Sequence, residues 1–240
     1  MDILFDIVIP VGPNDINKIN KMINYTKTNI IGYRNIYIIS NTIININDCI
    51  FINENIFPFN INTISDYLGN TDRNGWYLQQ LLKFYCSFVI DNILNNYLVI
   101  DADTFFLKPT VFFKNCLPLY NSGTEFHYPY FEHMNKLHPT LKKSIQLSGI
   151  CHHMMFQKKI LNMLFELVEK YHNKKFWECF LLFITPYNIL GSGASEYEIY
   201  FNYINIYHKD SFIIRNLKWE NLTNIINNCD LDYISCHWYL

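Results

Sequence analysis

Tyr97-Leu98-Val99-Ile100-Asp101-Ala102-Asp103-Thr104-Phe105-Phe106-Leu107-Lys108-Pro109 is the stretch on which the reading of this chain turns. Its first four residues are apolar and rich in strand formers, which predicts a buried β-strand. The strand ends in two aspartates one residue apart. Two acids in one short turn can share a divalent cation, because Mg²⁺ and Mn²⁺ prefer oxygen ligands. A turn with two solvated aspartates is the plainer alternative. A second such pair, Asp230 and Asp232, follows no apolar run, so context favours the first.

Working outward, Asp6–Pro10 and Ile36–Ser40 read as buried strands, and Cys49–Ile52 as a weaker one. Residues 16–29 read as a helix, with Asn14 or Asp15 as its cap. Leu78, Leu81, Leu82, Tyr85, Phe88 and Val89 recur at a helical period, so 75–90 is read as an amphipathic helix. Strands alternating with helices imply parallel pairing through right-handed crossovers. Ligands of such sheets bind beyond the carboxyl ends of the strands, where Val11-Gly12 and the acidic turn both fall.

The second half is less regular. Residues 150–156 read as a strand, 158–171 as a helix, and 196–207 as a helix capped by Ser195. Short late strands are expected at 212–214 and 233–236. No Pro-, Gly- or Ser-rich linker divides the chain. The fold class expected is therefore α/β, a Rossmann-like open mixed sheet flanked by helices, in a single domain.

Composition narrows the function. The 240 residues carry 19 Lys and Arg against 21 Asp and Glu, a net charge of −2. That leaves no cationic excess to neutralise nucleic-acid phosphates, so no nucleic-acid partner is expected. Seven cysteines are scattered without a Cys-x-x-Cys pair, which fits a reducing compartment rather than a zinc ribbon. Every apolar stretch is broken before 18 residues, so no transmembrane segment is expected. The start lacks a basic leader, and the expected location is the cytoplasm. The 35 Ile and 31 Asn reflect AT-rich codons and point to an AT-rich microbe or a large virus, in which case the location is the host cytoplasm.

Val99–Pro109 resembles the Asp-x-Asp motif of nucleotide-sugar glycosyltransferases of the GT-A fold. Four further segments resemble a bacterial and large-virus branch of that superfamily: Asp6–Val11, Asp72–Phe84 (D-R-N-G-W-Y-L-Q-Q-L-L-K-F), Ser195–Tyr203 and Cys236–Tyr239. The resemblance implies a nucleotide-binding half over 1–110 and a half for donor sugar and acceptor over 111–240. It implies a nucleoside diphosphate sugar as donor, a UDP-sugar by preference, and a glycan or glycoprotein hydroxyl as acceptor. Val11, Gly12 and Asp15 would contact the nucleoside. Asp101 and Asp103 would bind Mn²⁺ (or Mg²⁺) and the diphosphate, with His237 as a third ligand, since imidazole suits Mn²⁺.

Arg73 and Lys83 are candidate cationic donors to the diphosphate, and Gln80 a partner for a carboxylate of the acidic turn. An inverting transfer needs a base on the acceptor hydroxyl, for which Glu196 is the first candidate and Glu198 the second. Both acids also suit a helix start on purely structural grounds. A retaining transfer would not need that base, and the residues leave the stereochemistry open. Of His152 and His153, alternation along a strand turns one to the cleft, and His153 is the preferred sugar contact, together with Trp238. A non-catalytic carbohydrate-binding protein on the same scaffold stays as an alternative. A sugar-1-phosphate nucleotidyltransferase is disfavoured, because residues 11–17 lack a Gly-rich loop and a basic residue before Lys18.

Overall fold

A computed structural model describes residues 3–225 and 230–237. In chain order the main elements are β1 (Phe5–Pro10), α1 (Ile19–Asn29), β2 (Tyr33–Ser40), β3 (Ile50–Asn53), α2 (Ile61–Leu68), α3 (Asn74–Val89), β4 (Asn96–Ile100) and β5 (Thr104–Phe106). The second half adds α4 (Tyr128–Leu137), β6 (His153–Gln157), α5 (Lys158–His172), α6 (Phe176–Leu182), α7 (Glu196–Tyr207), β7 (Trp219–Leu222) and β8 (Tyr233–Cys236).

The central sheet has five strands in the order β6-β4-β1-β2-β3. Four run parallel, with Val8 of β1 paired to Tyr37 on one side and Val99 on the other. The edge strand β6 is antiparallel, pairing His153 with Ile100 and Met154 with Val99. Every residue of β1 is buried, as a strand covered on both faces requires, which is why Phe5–Pro10 has no polar alternation beyond Asp6. Asp6 is fully buried but satisfied: Arg34 donates to both of its oxygens, at 3.0 and 2.6 Å, and the backbone N–H groups of Asn35 and Leu94 also donate to it. The result is a single mixed α/β domain with helices flanking the sheet.

Some local expectations need correction. The helix foreseen from residue 16 starts at Ile19. A short 3₁₀ turn, Pro13–Asp15, precedes it, and neither Asn14 nor Asp15 caps it. Pro13 favours that turn because its fixed φ suits a first helical position. Helices α2, α4 and α6 and strand β7 were not foreseen. The late strand at 212–214 shrinks to Ile213–Ile214, which pairs with Leu119–Tyr120 in a small separate sheet. Ser195 does cap α7, its side chain accepting from the Glu198 N–H.

Two contacts fasten the acidic turn to distant segments. A small sheet, β7-β8-β5, carries β8 alongside the residues that follow the turn, pairing Ser235 with Thr104. The Cys236 N–H also donates to the Asp103 carbonyl at 2.8 Å. On the other side Gly149 lies tight against α7. A Cβ there would fall 2.5 Å from the Phe201 Cβ, so only glycine lets this loop approach.

Candidate active site

Asp101 and Asp103 emerge where β4 ends, and both line a cavity of about 350 Å³. Ile100 is the last buried strand residue, and the chain turns back at once: the Thr104 N–H donates to the Asp101 carbonyl at 3.0 Å. That turn sends both carboxylates out of the strand's carboxyl end.

Lys83 reaches the turn from α3. Its ammonium donates to Asp101 Oδ1 at 2.5 Å and to Glu196 Oε1 at 2.7 Å, and it lies 4.5 Å from the centre of the Tyr197 ring. The Tyr197 hydroxyl donates to the same Asp101 oxygen at 2.8 Å. Lys83 is 3% exposed and Glu196 likewise 3%, so neither charge is eased by bulk water. Burial pushes the Lys83 ammonium toward neutrality, but Asp101 and Glu196 outweigh it and hold it protonated. Burial likewise works to raise Asp101, and Lys83 and His152 reverse this, holding its carboxyl well below the usual carboxylate range. Glu196 goes the other way: burial and the nearby Asp101 charge raise its carboxyl despite Lys83.

Asp103 has a different neighbourhood. Its oxygens accept from Ser235 Oγ at 3.1 Å and face His237 Nδ1 at 2.8 Å. The other ring nitrogen of His237 lies 3.2 Å from Asn221 Oδ1. Burial works to lower the His237 imidazole, and the bond to Asp103 overrides it and raises it. Asp15 stands across the cavity. Burial, then the charge of Asp103, pushes its carboxyl up to about 6 from an ordinary 3.8.

A second cavity of about 440 Å³ opens beside the first, at the carboxyl end of β1. Val11, Gly12 and Asp15 line it, as do Gly75 and Trp76 at the start of α3. Asp15, Arg73, Trp76 and Gln79 line both cavities. Arg73 lies 4.3 Å from the Trp76 ring centre and is hydrogen-bonded to Ser192. Gln79 is fixed by donating to the Pro10 carbonyl at 3.3 Å.

Ten of the thirteen candidate residues thus gather around these two cavities, although Gln80 does so from behind. Its side-chain oxygen accepts from the Glu196 N–H at 3.0 Å, so it holds the start of α7 rather than a carboxylate of the acidic turn. Two further expectations are overturned. Glu198 is fully buried and spent on Ser148 and on Asn202, which donates to it at 2.6 Å, so it serves packing between the 148 loop and α7. His153 points into the core against Phe106, Phe112 and Tyr233. Burial, reinforced by Arg215, pushes its imidazole down to about 3. Its neighbour His152 lines the cavity instead, with Nδ1 3.3 Å from Asp101 Oδ2 and its ring 5.0 Å from that of His237. Trp238 lies outside the described residues.

The sequence pattern offered His152 only as the less favoured of two adjacent histidines, and it did not single out Tyr197 or Ser235 as members of the site. Of the last two, only Tyr197 carried a signal, as the residue directly after the candidate base at a capped helix start.

The donor chemistry fits a hard divalent ion. Among the described residues no three His, Cys, Asp or Glu side chains are already gathered as a ligand set. Mg²⁺ and Mn²⁺ do not need one, since they keep waters and commonly take one or two carboxylates plus substrate phosphates. Asp103 and His237 would be the ligands. Asp101 is the poorer donor, because Lys83 already balances its charge.

Residues 4–225 match DUF6492, a family of unknown function, and the chain belongs to that family. The match spans Lys83, both aspartates of the turn and Glu196, and it stops before Ser235 and His237. Comparison with curated proteins finds no match.

Proposed function

We propose that the chain is a metal-dependent glycosyltransferase of the GT-A type. It would transfer a sugar from a nucleoside diphosphate donor, with uridine the expected nucleoside, to a hydroxyl of a glycan or glycoprotein. The observation that carries the reading is the shared wall of two cavities. The acidic turn, Lys83, Glu196 and His237 line one, and the end of β1 lines the other.

The second cavity suits the nucleoside, with Trp76 and Val11 as apolar walls. Arg73 reaches both cavities, where a diphosphate linking nucleoside to sugar would lie, and its planar fork suits phosphate oxygens. Mn²⁺ held by Asp103 and His237 would supply Lewis-acid stabilisation of the departing diphosphate. Glu196 is positioned as the base of an inverting transfer. Lys83 keeps it ionised before reaction, and burial raises its appetite for the acceptor's proton. Lys83 then serves a second purpose, since it fixes Asp101 and Glu196 at one spacing.

A thermal-shift screen of nucleotide sugars, with and without Mn²⁺, tests the reading. A ligand bound to the native state raises its melting temperature. A Mn²⁺-dependent rise with a UDP-sugar, and transfer lost in EDTA, are expected. Turnover that persists unchanged in EDTA overturns the metal-dependent reading.

A further inference from the structure

With the nucleoside in the cavity at the end of β1 and the diphosphate along Arg73, as the transferase reading has it, the sugar falls in the part of the first cavity that the second does not share. Charge in that part is one-sided. Its described lining carries four carboxylates, Asp101, Asp103, Glu125 and Glu196, and Lys83 is its one lysine or arginine. Lys83 is already spent between Asp101 and Glu196, at 2.5 and 2.7 Å, and is 3% exposed. Asp103 faces His237 and would hold the ion, whose charge answers the diphosphate. Glu125 has no hydrogen-bond or ion-pair partner among the described residues.

Glu125 is nonetheless held at the cavity wall from both sides. Gly123, two residues before it, exchanges backbone hydrogen bonds with Ser148 at 2.8 and 2.9 Å. A Cβ on Gly123 would stand 3.0 Å from the Ile150 carbonyl oxygen, so this segment runs tight against a residue that also lines the cavity. His127, two residues after Glu125, has its Nε2 3.0 Å from the carbonyl oxygens of Gly191 and Ser192. The Glu125 charge is felt along the wall: burial, then Glu125, pushes the Tyr130 hydroxyl up.

An ionised carboxylate only accepts hydrogen bonds, so it suits the hydroxyls of a neutral sugar. A sugar acid would bring one more negative charge to a wall that has no free cation to meet it. Like charges placed together select against a ligand even where the rest of it fits. We propose that Glu125 is a specificity-determining residue of this site, and that the donor carries an uncharged sugar, a hexose or N-acetylhexosamine rather than a sugar acid.

The test is calorimetric titration of the whole chain, in Mn²⁺, with UDP and with two pairs of donors: UDP-glucose and UDP-glucuronate, UDP-galactose and UDP-galacturonate. The members of each pair differ only where a carboxylate replaces a hydroxymethyl group. In the pair that binds more tightly, the acid is expected to bind about tenfold more weakly than its neutral partner, as one like charge at close range implies. Glu125→Gln is expected to keep its melting temperature, because the carboxylate has no partner to lose, and to narrow that gap to about threefold. UDP, which has no sugar, should bind the variant and the parent alike. Absence of UDP binding overturns the transferase reading and this assignment with it. Two results overturn the assignment and leave the transferase: UDP binding with equal or tighter binding of the acid, or a gap that Glu125→Gln leaves unchanged.

Discussion

Lys83 and Glu196 stand 113 positions apart in sequence and meet at 2.7 Å in the interior. One lysine from the first half of the chain thereby fixes both the acid at the end of β4 and the acid at the start of α7. Removing it leaves the buried Glu196 carboxylate and the partly exposed Asp101 carboxylate without the cation they share. Lys83→Met is expected to cost about 3–5 kcal/mol in a denaturant melt, the usual penalty for orphaning a buried charge. Adding Glu196→Gln to that variant should restore part of the stability and none of the activity. A single variant as stable as the parent would remove the argument.

Asp103→Asn tests the other carboxylate. The amide is nearly isosteric and still accepts from Ser235, so the fold should survive, with a melting shift of no more than a few degrees, about what 1 kcal/mol produces. Transfer should be lost, together with the Mn²⁺-dependent part of any nucleotide-sugar thermal shift.

Asp15 gives a pH signature. Its carboxyl is raised in the folded chain from 3.8 to about 6, so the folded state binds the proton more tightly than the unfolded one. That contribution to stability is present below pH 3.8 and is lost as pH rises through 6. Asp15→Asn should remove this fall between about pH 4 and 6 and raise the melting temperature at neutral pH in metal-free buffer. Identical stability profiles for the two proteins would contradict it.

His153 gives the opposite slope. Its imidazole is pushed down to about 3 in the folded chain, so the unfolded state takes up the proton first. The neutral ring's contribution is present above the ordinary value of 6.5 and lost as pH falls through 3. His153→Phe should stabilise by roughly 1 kcal/mol at neutral pH and more in acid, because neither ring nitrogen has a hydrogen-bond partner to lose. Urea melts at pH 7 and pH 4.5 measure both effects.

The strand ends and the long helices were legible because burial writes its period directly into the sequence. Ile7–Pro10 and Tyr97–Ile100 are unbroken apolar runs, and α3 repeats at helical spacing. What failed was decided by backbone conformation that periodicity does not encode. His152 adopts a left-handed φ of +60°, which moves the start of β6 to His153 and reverses which imidazole meets the cavity. The burial of Glu198 depends on a contact with Ser148 fifty residues away, and α4 and α6 are short helices whose apolar residues pack on distant segments. The pairing of Asp101 with Lys83 was half visible: Lys83 lay among apolar neighbours, and a lysine in such a place needs an acid.

The acidic turn draws its Ser235, Cys236 and His237 contacts from more than 130 residues downstream. A ribosome that has released only the first two hundred residues therefore holds a chain with its parallel sheet available but Asp103 unsupported. Here the order of synthesis itself withholds the supports of Asp103 until residues 235–237 have been made.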